Sequence, residues 1–293
     1  IYTLSLHDAL PIYELIPPSI PFVIYGVVSG ASVGEMFLSG VMPGLVIGTS
    51  LMAYSYFVAK KRGYPCSNKP RDLKNLWLSF KDAVWALLVP VIILGGIYGG
   101  IFTPTEAAVV GIVYAMIIGK FVYRELDFKM LREAYKDTVV VNGATTFMLG
   151  LSMAFATYLT MEEIPVRVGA WIVGVSSSKY VVLLMVNVMF LAVGCFIDNI
   201  SSMIILTPIF LPVMVKLGVE PVHFGLFMTV ALAIGFITPP YGANLFVASA
   251  VSGERIDGIS KEIFPLVAVM IACLMLFTYF PVFSMGLVDL FMR

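Results

Sequence analysis

The chain has 293 residues, of which 60% are hydrophobic and only 12% are charged. A typical soluble domain has roughly a quarter of its residues charged, so this composition excludes a soluble globular protein. The 18 basic and 18 acidic side chains cancel to a net charge of zero, which excludes a basic surface for nucleic acid. The composition therefore predicts an all-α polytopic membrane protein.

The first residues do not fit the rest of the chain. Residues 3–12 read TLSLHDALPI without a preceding methionine, and they resemble one reading frame of a common sequencing adapter. Segments of foreign origin are excluded from fold reasoning. We therefore expect residues 1–12 to be an artefact and the protein sequence to begin in mid-protein near Tyr13. The alternative is a genuine short amphipathic start.

The charges are concentrated in three windows. Residues 60–82, 120–137 and 254–262 contain 23 of the 36 charged side chains. Charges in hydrocarbon are costly, so these windows are predicted to be the main loops between membrane segments. Residues 120–137 alternate charged and large apolar side chains, which is typical of an amphipathic helix on the membrane surface. A solvated linker is the alternative.

Residues 84–119 are too long for one span, which needs about 20 apolar residues. Near the middle, the order Thr103-Pro104-Thr105-Glu106 predicts a helix start. Thr103 suits the N-cap, Pro104 suits the first helical position, and Glu106 completes a capping box. These three residues are therefore assigned a structural role.

A polar tip divides residues 139–175, which are apolar at both ends. The two apolar parts, 139–159 and 166–175, are unequal, and the second is too short to cross a bilayer. The pattern favours a re-entrant hairpin with Thr160 at its tip over two full spans with a short external turn.

Two further apolar runs, 180–216 and 223–252, contain polar and helix-breaking residues. Freed backbone groups survive in a membrane only where they face protein or a polar cavity. The second of these runs contains the double proline Pro239-Pro240. A similar double proline, Pro17-Pro18 followed by Ser19, lies near the start of the chain. Broken helices at matching positions of two halves indicate a secondary transporter with a midplane site. Chance similarity is the alternative for so short a match.

The broken helices supply candidate ligands for sodium and for an anionic substrate. Asp198 is an acidic side chain inside an apolar run, which is a functional hypothesis by default. Freed carbonyl, hydroxyl and amide oxygens suit sodium, and helix N-termini suit an anion. The candidate residues are Thr160, Asp198, Asn199, Ser201, Ser202, Thr238, Pro239, Pro240, Gly242 and Asn244. Hydrogen bonding between helices is the alternative role. His223 is predicted to be an interfacial cap.

The sequence lacks the residue patterns that metal sites, enzymes and ATP-driven pumps require. Two histidines and three scattered cysteines are too few for a metal cluster or a disulfide framework. The sequence has no nucleophile–base pair and no Walker-type phosphate loop, so neither an enzyme nor an ATP-driven pump is expected. We expect no cofactor, apart from sodium as a coupling ion.

Five motifs together resemble those of the large membrane subunit of TRAP transporters, the DctM family. They are GGIFTPTEAA at 99–108, IPPSIPFVIYG at 16–26, LTPIFLP at 206–212, PVHFG at 221–225 and GFITPPYGANLFVA at 235–248. The resemblance extends from about Tyr13 to Arg293. It implies an inverted-repeat elevator-type carrier, which symports sodium and an organic acid such as a C4-dicarboxylate or sialic acid.

The resemblance also implies partners and a location. The partners are a small membrane subunit (DctQ-like), a periplasmic substrate-binding protein (DctP-like), the organic anion and membrane lipid. The location is the inner membrane of a bacterium or archaeon. The family's first hairpin should precede Ile16, so this polypeptide alone should not transport. Rival hypotheses are a binding-protein-independent dicarboxylate or citrate symporter, and a channel or structural membrane subunit.

The same resemblance divides the chain into segments. They are 1–12 (artefact), 13–33 (end of the first repeat), 34–138 (scaffold spans, basic loop and amphipathic arm), 139–252 (second-repeat transport domain with a hairpin and two broken helices) and 253–293 (a plain C-terminal span).

Overall fold

The computed structural model describes residues 14–63, 73–175, 178–239 and 242–292. These residues form twelve α-helices and one π-helical turn, and they contain no strand. The helices are α1 Ile20–Ser29, α2 Val33–Arg62, α3 Leu73–Tyr98, α4 Pro104–Ile117, α5 Phe128–Met161, α6 Ile164–Val175, α7 Lys179–Gly194, α8 Asn199–Lys216, α9 Pro221–Gly235, α10 Ala243–Ser252, α11 Ile256–Tyr279 and α12 Val282–Phe291. The π-helical turn, Ile118–Val122, continues α4.

Five of the described helical segments are long and apolar enough to cross a membrane. They are Val33–Arg62, Lys74–Tyr98, Pro104–Val122, Asn199–Lys216 and Ile256–Tyr279. Four other apolar helices, α1, α7, α9 and α12, have only 10 to 17 residues, which is short of the roughly 20 that a span requires. The predicted helical, polytopic membrane fold is therefore confirmed. Several of its apolar helices are too short to cross a membrane alone.

The chain divides into two compact units. The first contains Ile1–Tyr56 and Met148–Arg293, and the second contains Phe57–Phe147. In the second unit α3 and α4 form an antiparallel pair, in which the Tyr114 hydroxyl donates to the Trp85 carbonyl at 3.1 Å. The capping box predicted between these helices is present: the Glu106 N–H donates to Thr103 Oγ1, and the Thr103 N–H donates to Glu106 Oε2.

Helix α9 forms the core of the first unit. Every residue from Val222 to Gly235 is buried, as is typical of a helix that is apolar on all sides. It packs against α1, α7, α8 and α11. The aromatic rings of Phe190, Phe210, Phe224 and Phe227 pack edge to face or tilted, with centroids 5.3–5.9 Å apart. This core fixes the ends of α7, α8 and α9, where the candidate site residues lie.

Helix boundaries differ from the predictions at the C-terminal span. The predicted plain C-terminal span is wrong, because the chain breaks between α11 and α12 at Phe280-Pro281. Proline cannot donate the hydrogen bond that would continue α11, and it disfavours helical backbone at the residue before it.

The charged window 120–137 contains the start of a long helix. Helix α5 begins at Phe128 and continues without a break to Met161.

Candidate transport site

Two helix breaks lie side by side in the first unit. The first break, residues 195–198, separates α7 from α8, and the second break lies between the end of α9 at Gly235 and the start of α10 at Ala243. They meet at Gly194 and Gly235. A Cβ on Gly235 would lie 2.6 Å from the Gly194 Cα, and one on Gly194 would lie 2.7 Å from the Leu232 carbonyl oxygen. Glycine at both positions allows this close backbone approach, which brings the two breaks together.

Asp198 forms the N-cap of α8 at the end of the first break. Its Oδ2 accepts a hydrogen bond from the Ser201 N–H at 3.0 Å, which satisfies one of the helix's free amides. The side chain is only half-buried. Asp198 therefore stays a predicted ligand, and Glu14, with only 8% of its surface exposed, is the more deeply buried of the two carboxylates.

The residues that follow Asp198 on α8 are buried and polar. Asn199 and Ser202 have 6% and 1% of their surface exposed. Asn199 Nδ2 donates to Glu14 Oε2 at 2.6 Å, but Asn199 Oδ1 and Ser202 Oγ have no hydrogen-bond partner in the described structure. An unpaired buried polar group costs about 1–3 kcal/mol. Hydrogen bonding between helices therefore explains only part of this cluster. Ser201 is buried as well.

The second break contains Thr238, Pro239 and Gly242, and Asn244 follows it on the first turn of α10. The Thr238 hydroxyl donates a hydrogen bond to the Ile234 carbonyl at the end of α9, with 2.6 Å between the two oxygens. Its proton is therefore not available to a ligand. Pro239 is half-buried and Gly242 is buried. Asn244 has 8% of its surface exposed, and its Nδ2 has no hydrogen-bond partner in the described structure. The predicted residue Pro240 lies outside the described residues.

The predicted hairpin consists of the end of α5 and all of α6. Helix α6 has 12 residues, too few for a span, and it packs against α8. Thr160 lies on the last turn of α5 and is exposed. Its Oγ1 donates to the Ala156 carbonyl at 2.9 Å, within its own helix. Thr160 therefore stays a predicted ligand, and its hydroxyl oxygen could only accept a hydrogen bond or coordinate a cation.

The double-proline segment near the start of the chain meets the first break. Ser19, after Pro17 and Pro18, is buried and caps α1, and its hydroxyl donates to the Glu14 carbonyl. Helix α1 packs along α8, and Glu14 contacts Asn199. Sequence reasoning missed Glu14, although an acidic residue three positions before the double proline Pro17-Pro18 was a usable signal.

His223 is not an interfacial cap, because only 3% of its surface is exposed. Its Nε2 lies 3.2 Å from the Thr278 carbonyl oxygen and its Nδ1 lies 2.6 Å from Ser284 Oγ. A carbonyl only accepts hydrogen bonds, so Nε2 is the donor. The imidazole therefore connects α9 to both sides of the break between α11 and α12.

Comparison with known proteins identifies the family. The family model described as "Tripartite ATP-independent periplasmic transporter, DctM component" matches residues 11–283. The chain belongs to this family. The resemblance that the five motifs predicted is therefore confirmed for the DctM component of TRAP transporters.

The chain is similar to several curated TRAP permeases. It is 46% identical over 271 residues to the isethionate TRAP transporter permease protein DctMQ of Oleidesulfovibrio alaskensis, which covers 92% of this chain and 43% of that protein. It is 41% identical over 278 residues to the C4-dicarboxylate large permease DctM of Pseudomonas aeruginosa, covering 93% and 64%. It is 37% identical over 267 residues to the sialic acid permease SiaT of Haemophilus influenzae, covering 91% and 43%. The chain thus spans less than two thirds of each relative.

Proposed function

We propose that this chain is part of the large permease subunit of a sodium-coupled TRAP transporter that imports an organic acid anion across the inner membrane. The observation that supports this most strongly is the juxtaposition of the two helix breaks at Gly194 and Gly235. Unpartnered polar atoms of Asn199, Ser202 and Asn244 are buried at or beside these breaks. Broken helices with such groups form the binding sites of secondary transporters.

The charges around the breaks suit the joint binding of an anion and a cation. Helices α8 and α10 begin at the breaks, and a helix N-terminus carries about half a positive charge, which attracts an anion. Amide and hydroxyl oxygens suit sodium, which prefers oxygen ligands. The proposed ligands for sodium and substrate are the residues predicted from the sequence, from Thr160 at the hairpin tip to Asn244 on α10.

The relatives suggest the class of substrate. Those described above are named for isethionate, a C4-dicarboxylate and sialic acid. All three compounds carry a carboxylate or a sulfonate, which a helix N-terminus can bind. We therefore assign an organic anion of this kind to the carrier.

Transport requires more than this chain. The proposed carrier includes the first hairpin and its broken helix, together with a small membrane subunit and a periplasmic substrate-binding protein. In the proposed elevator mechanism, the hairpin-bearing domain moves across the membrane after sodium and the anion have bound.

Uptake into proteoliposomes tests this function. The full-length carrier and its small subunit would be reconstituted, and uptake of a labelled C4-dicarboxylate, sialic acid and isethionate would be measured with and without a sodium gradient. We expect uptake of at least one anion only with inward sodium and the substrate-binding protein. Uptake that is unchanged when potassium replaces sodium would contradict the proposal.

A further inference from the structure

A hydrophobic groove lies between the second arm of the predicted hairpin and helix α7. Helix α6 forms one wall, α7 forms the other, and the buried Phe210 of α8 forms the floor. The groove has a volume of about 430 Å³, and every residue that lines it is hydrophobic. It is open to the outside, because Trp171, Leu184 and Val188 line it and are nevertheless exposed. In a membrane protein, such a surface faces lipid hydrocarbon or another membrane helix.

One end of α7 has the residues of a membrane surface, and the other end lies at the helix breaks. The helix begins with Lys179 and Tyr180, and the Tyr180 ring packs against that of Tyr279 with centroids 5.9 Å apart. Lysine and tyrosine are typical of the membrane–water interface, where their polar ends stay in water. The last residue, Gly194, contacts Gly235 at the second break, and the broken helices of carriers meet near the midplane. Helix α7 therefore extends through one leaflet.

The dimensions of the groove match that leaflet. A helix rises about 1.5 Å per residue, so Leu184 lies about 7 Å below Lys179, and Ala192 lies about 20 Å below it. Headgroups occupy about 5–7 Å on each side of a hydrocarbon core that is about 30 Å thick. The groove includes residues of α7 from Leu184 to Ala192. It therefore begins where the hydrocarbon begins and ends close to the midplane.

Two basic side chains lie at the surface end of the groove. Lys179 Nζ donates to the Gly218 carbonyl at 2.9 Å, which brings Lys179 next to the end of α8, where Lys216 occupies the last turn. Both lysines are exposed, and an ammonium group bonded to one carbonyl keeps two further N–H donors. The turn after α8 contributes one acidic residue, Glu220, so the lysines outnumber it there. This end of the groove therefore suits a negatively charged group.

A groove with these two parts fits an anionic phospholipid better than a protein helix. Space between helices that holds no atoms forfeits dispersion contacts with the side chains around it. An acyl chain is as apolar as leucine, so it can supply those contacts, and lysines near a membrane surface attract anionic headgroups. A helix about 12 Å long and about 10 Å wide would occupy roughly 900 Å³, about twice the volume of the groove.

We propose that the groove between α6 and α7 binds one acyl chain of an anionic phospholipid, whose phosphate lies at Lys179 and Lys216. This site is separate from the two helix breaks and from the sodium and substrate ligands proposed above. The bound chain would lie between α6 and α7 and hold the second arm of the hairpin in place. The lipid composition of the membrane would therefore control how readily this arm moves relative to α7.

Native mass spectrometry of the full-length carrier with its small subunit tests the headgroup contact. The delipidated complex would be titrated separately with phosphatidylglycerol and phosphatidylcholine that have identical acyl chains. Lys179→Gln combined with Lys216→Gln should weaken phosphatidylglycerol binding about 20-fold, because each basic residue near the surface contributes about fivefold. Phosphatidylcholine has no net charge, so its affinity should stay unchanged. Lys216→Gln alone leaves the Lys179 contact with Gly218 in place and should weaken phosphatidylglycerol binding about fivefold.

A second variant tests the groove itself. Val188→Trp places an indole ring in the groove and should weaken the binding of both lipids about tenfold or more, through steric overlap. The matched control is Val181→Trp, since Val181 is also exposed on α7 but does not line the groove. The control for the lysines is Lys261→Gln, which removes an exposed lysine near the start of α11. Both controls should bind both lipids as the wild type does.

Two results would overturn the site. One is an unchanged affinity for phosphatidylglycerol in the lysine double variant or in Val188→Trp, with melting in lipid-free detergent showing that the variant is folded. The other is release of the small subunit by Val188→Trp, which would show that the groove holds a protein helix. Lipid binding is measured without transport, so neither result depends on whether uptake requires sodium.

Discussion

Two helix starts in this protein have similar N-caps but different surroundings. At the start of α4, Thr103 and Glu106 satisfy each other's backbone amides, and both side chains are exposed. At the start of α8, Asp198 satisfies one amide, but the neighbouring Asn199 and Ser202 are buried with unpaired oxygens. The first start is closed by its own side chains, whereas the second leaves polar atoms for a ligand.

This difference is the basis for proposing a ligand-binding role for one helix start and a structural role for the other. At the starts of both α4 and α8, the capping residues can be recognised equally well from the sequence. Only burial and hydrogen-bond pairing distinguish them, because a buried polar group without a partner is rare in native structures. The breaks at α8 and α10 share this property, and they are adjacent through Gly194 and Gly235.

The largest effect is expected where the two breaks of the proposed site touch. Gly235→Val would place side-chain atoms within 2.6 Å of the Gly194 backbone, and overpacking of this kind costs about 1–3 kcal/mol or more. We expect sodium-dependent uptake by the full-length carrier to be abolished. The control is Gly48→Val, since a Cβ at Gly48 has nothing within 4 Å. Normal uptake by Gly235→Val would show that the close approach is not required.

A smaller effect is expected from removal of a single unpaired hydroxyl. Ser202→Ala removes an oxygen without a partner, so stability without sodium should not fall. The apparent affinity for sodium in uptake should fall about fivefold, the equivalent of one lost contact of about 1 kcal/mol. The measurement is a sodium titration of uptake, combined with thermal melting.

Ser284→Ala provides the matched contrast to Ser202→Ala. The Ser284 hydroxyl is also buried, but it donates to the Pro281 carbonyl and contacts His223. This variant should lose about 1 kcal/mol of stability and retain its sodium affinity. If Ser202→Ala behaves in the same way as Ser284→Ala, the Ser202 hydroxyl has a structural role only.

The smallest effect on transport is expected at the closed helix start. Thr103→Ala removes the N-cap of α4 and should cost about 1 kcal/mol of stability. The sodium affinity in uptake should stay unchanged, because the capping box leaves no polar atom for a ligand. A shift in the sodium titration comparable with that of Ser202→Ala would remove the distinction between the two helix starts.

The sequence predicted those features that depend on neighbouring residues. The capping box lies within four residues, 103–106, so its pattern can be read directly and the structure contains it. Glycines, prolines and polar residues within apolar runs indicated the breaks near Asp198 and Thr238 for the same reason. Hydrophobicity alone predicted a polytopic helical protein, because a membrane selects for long apolar helices.

The missed features depend on contacts between distant segments. Glu14 becomes buried because α1 packs along α8, and His223 because α9 contacts the α11–α12 break. Asp198 lies in an apolar run, yet its half-burial depends on packing around the break. The α11–α12 break was missed because a lone Pro281 near the end of an apolar run gives a weak signal.

The central claim is that the two adjacent breaks bind sodium together with the substrate. The most direct measurement is a sodium titration of anion uptake by the full-length carrier with both Thr238→Ala and Asn244→Ala, against the wild type. We predict an increase of about tenfold or more in the half-saturating sodium concentration, since two polar groups at the second break are removed. An unchanged sodium response in a normally folded double variant would contradict the claim.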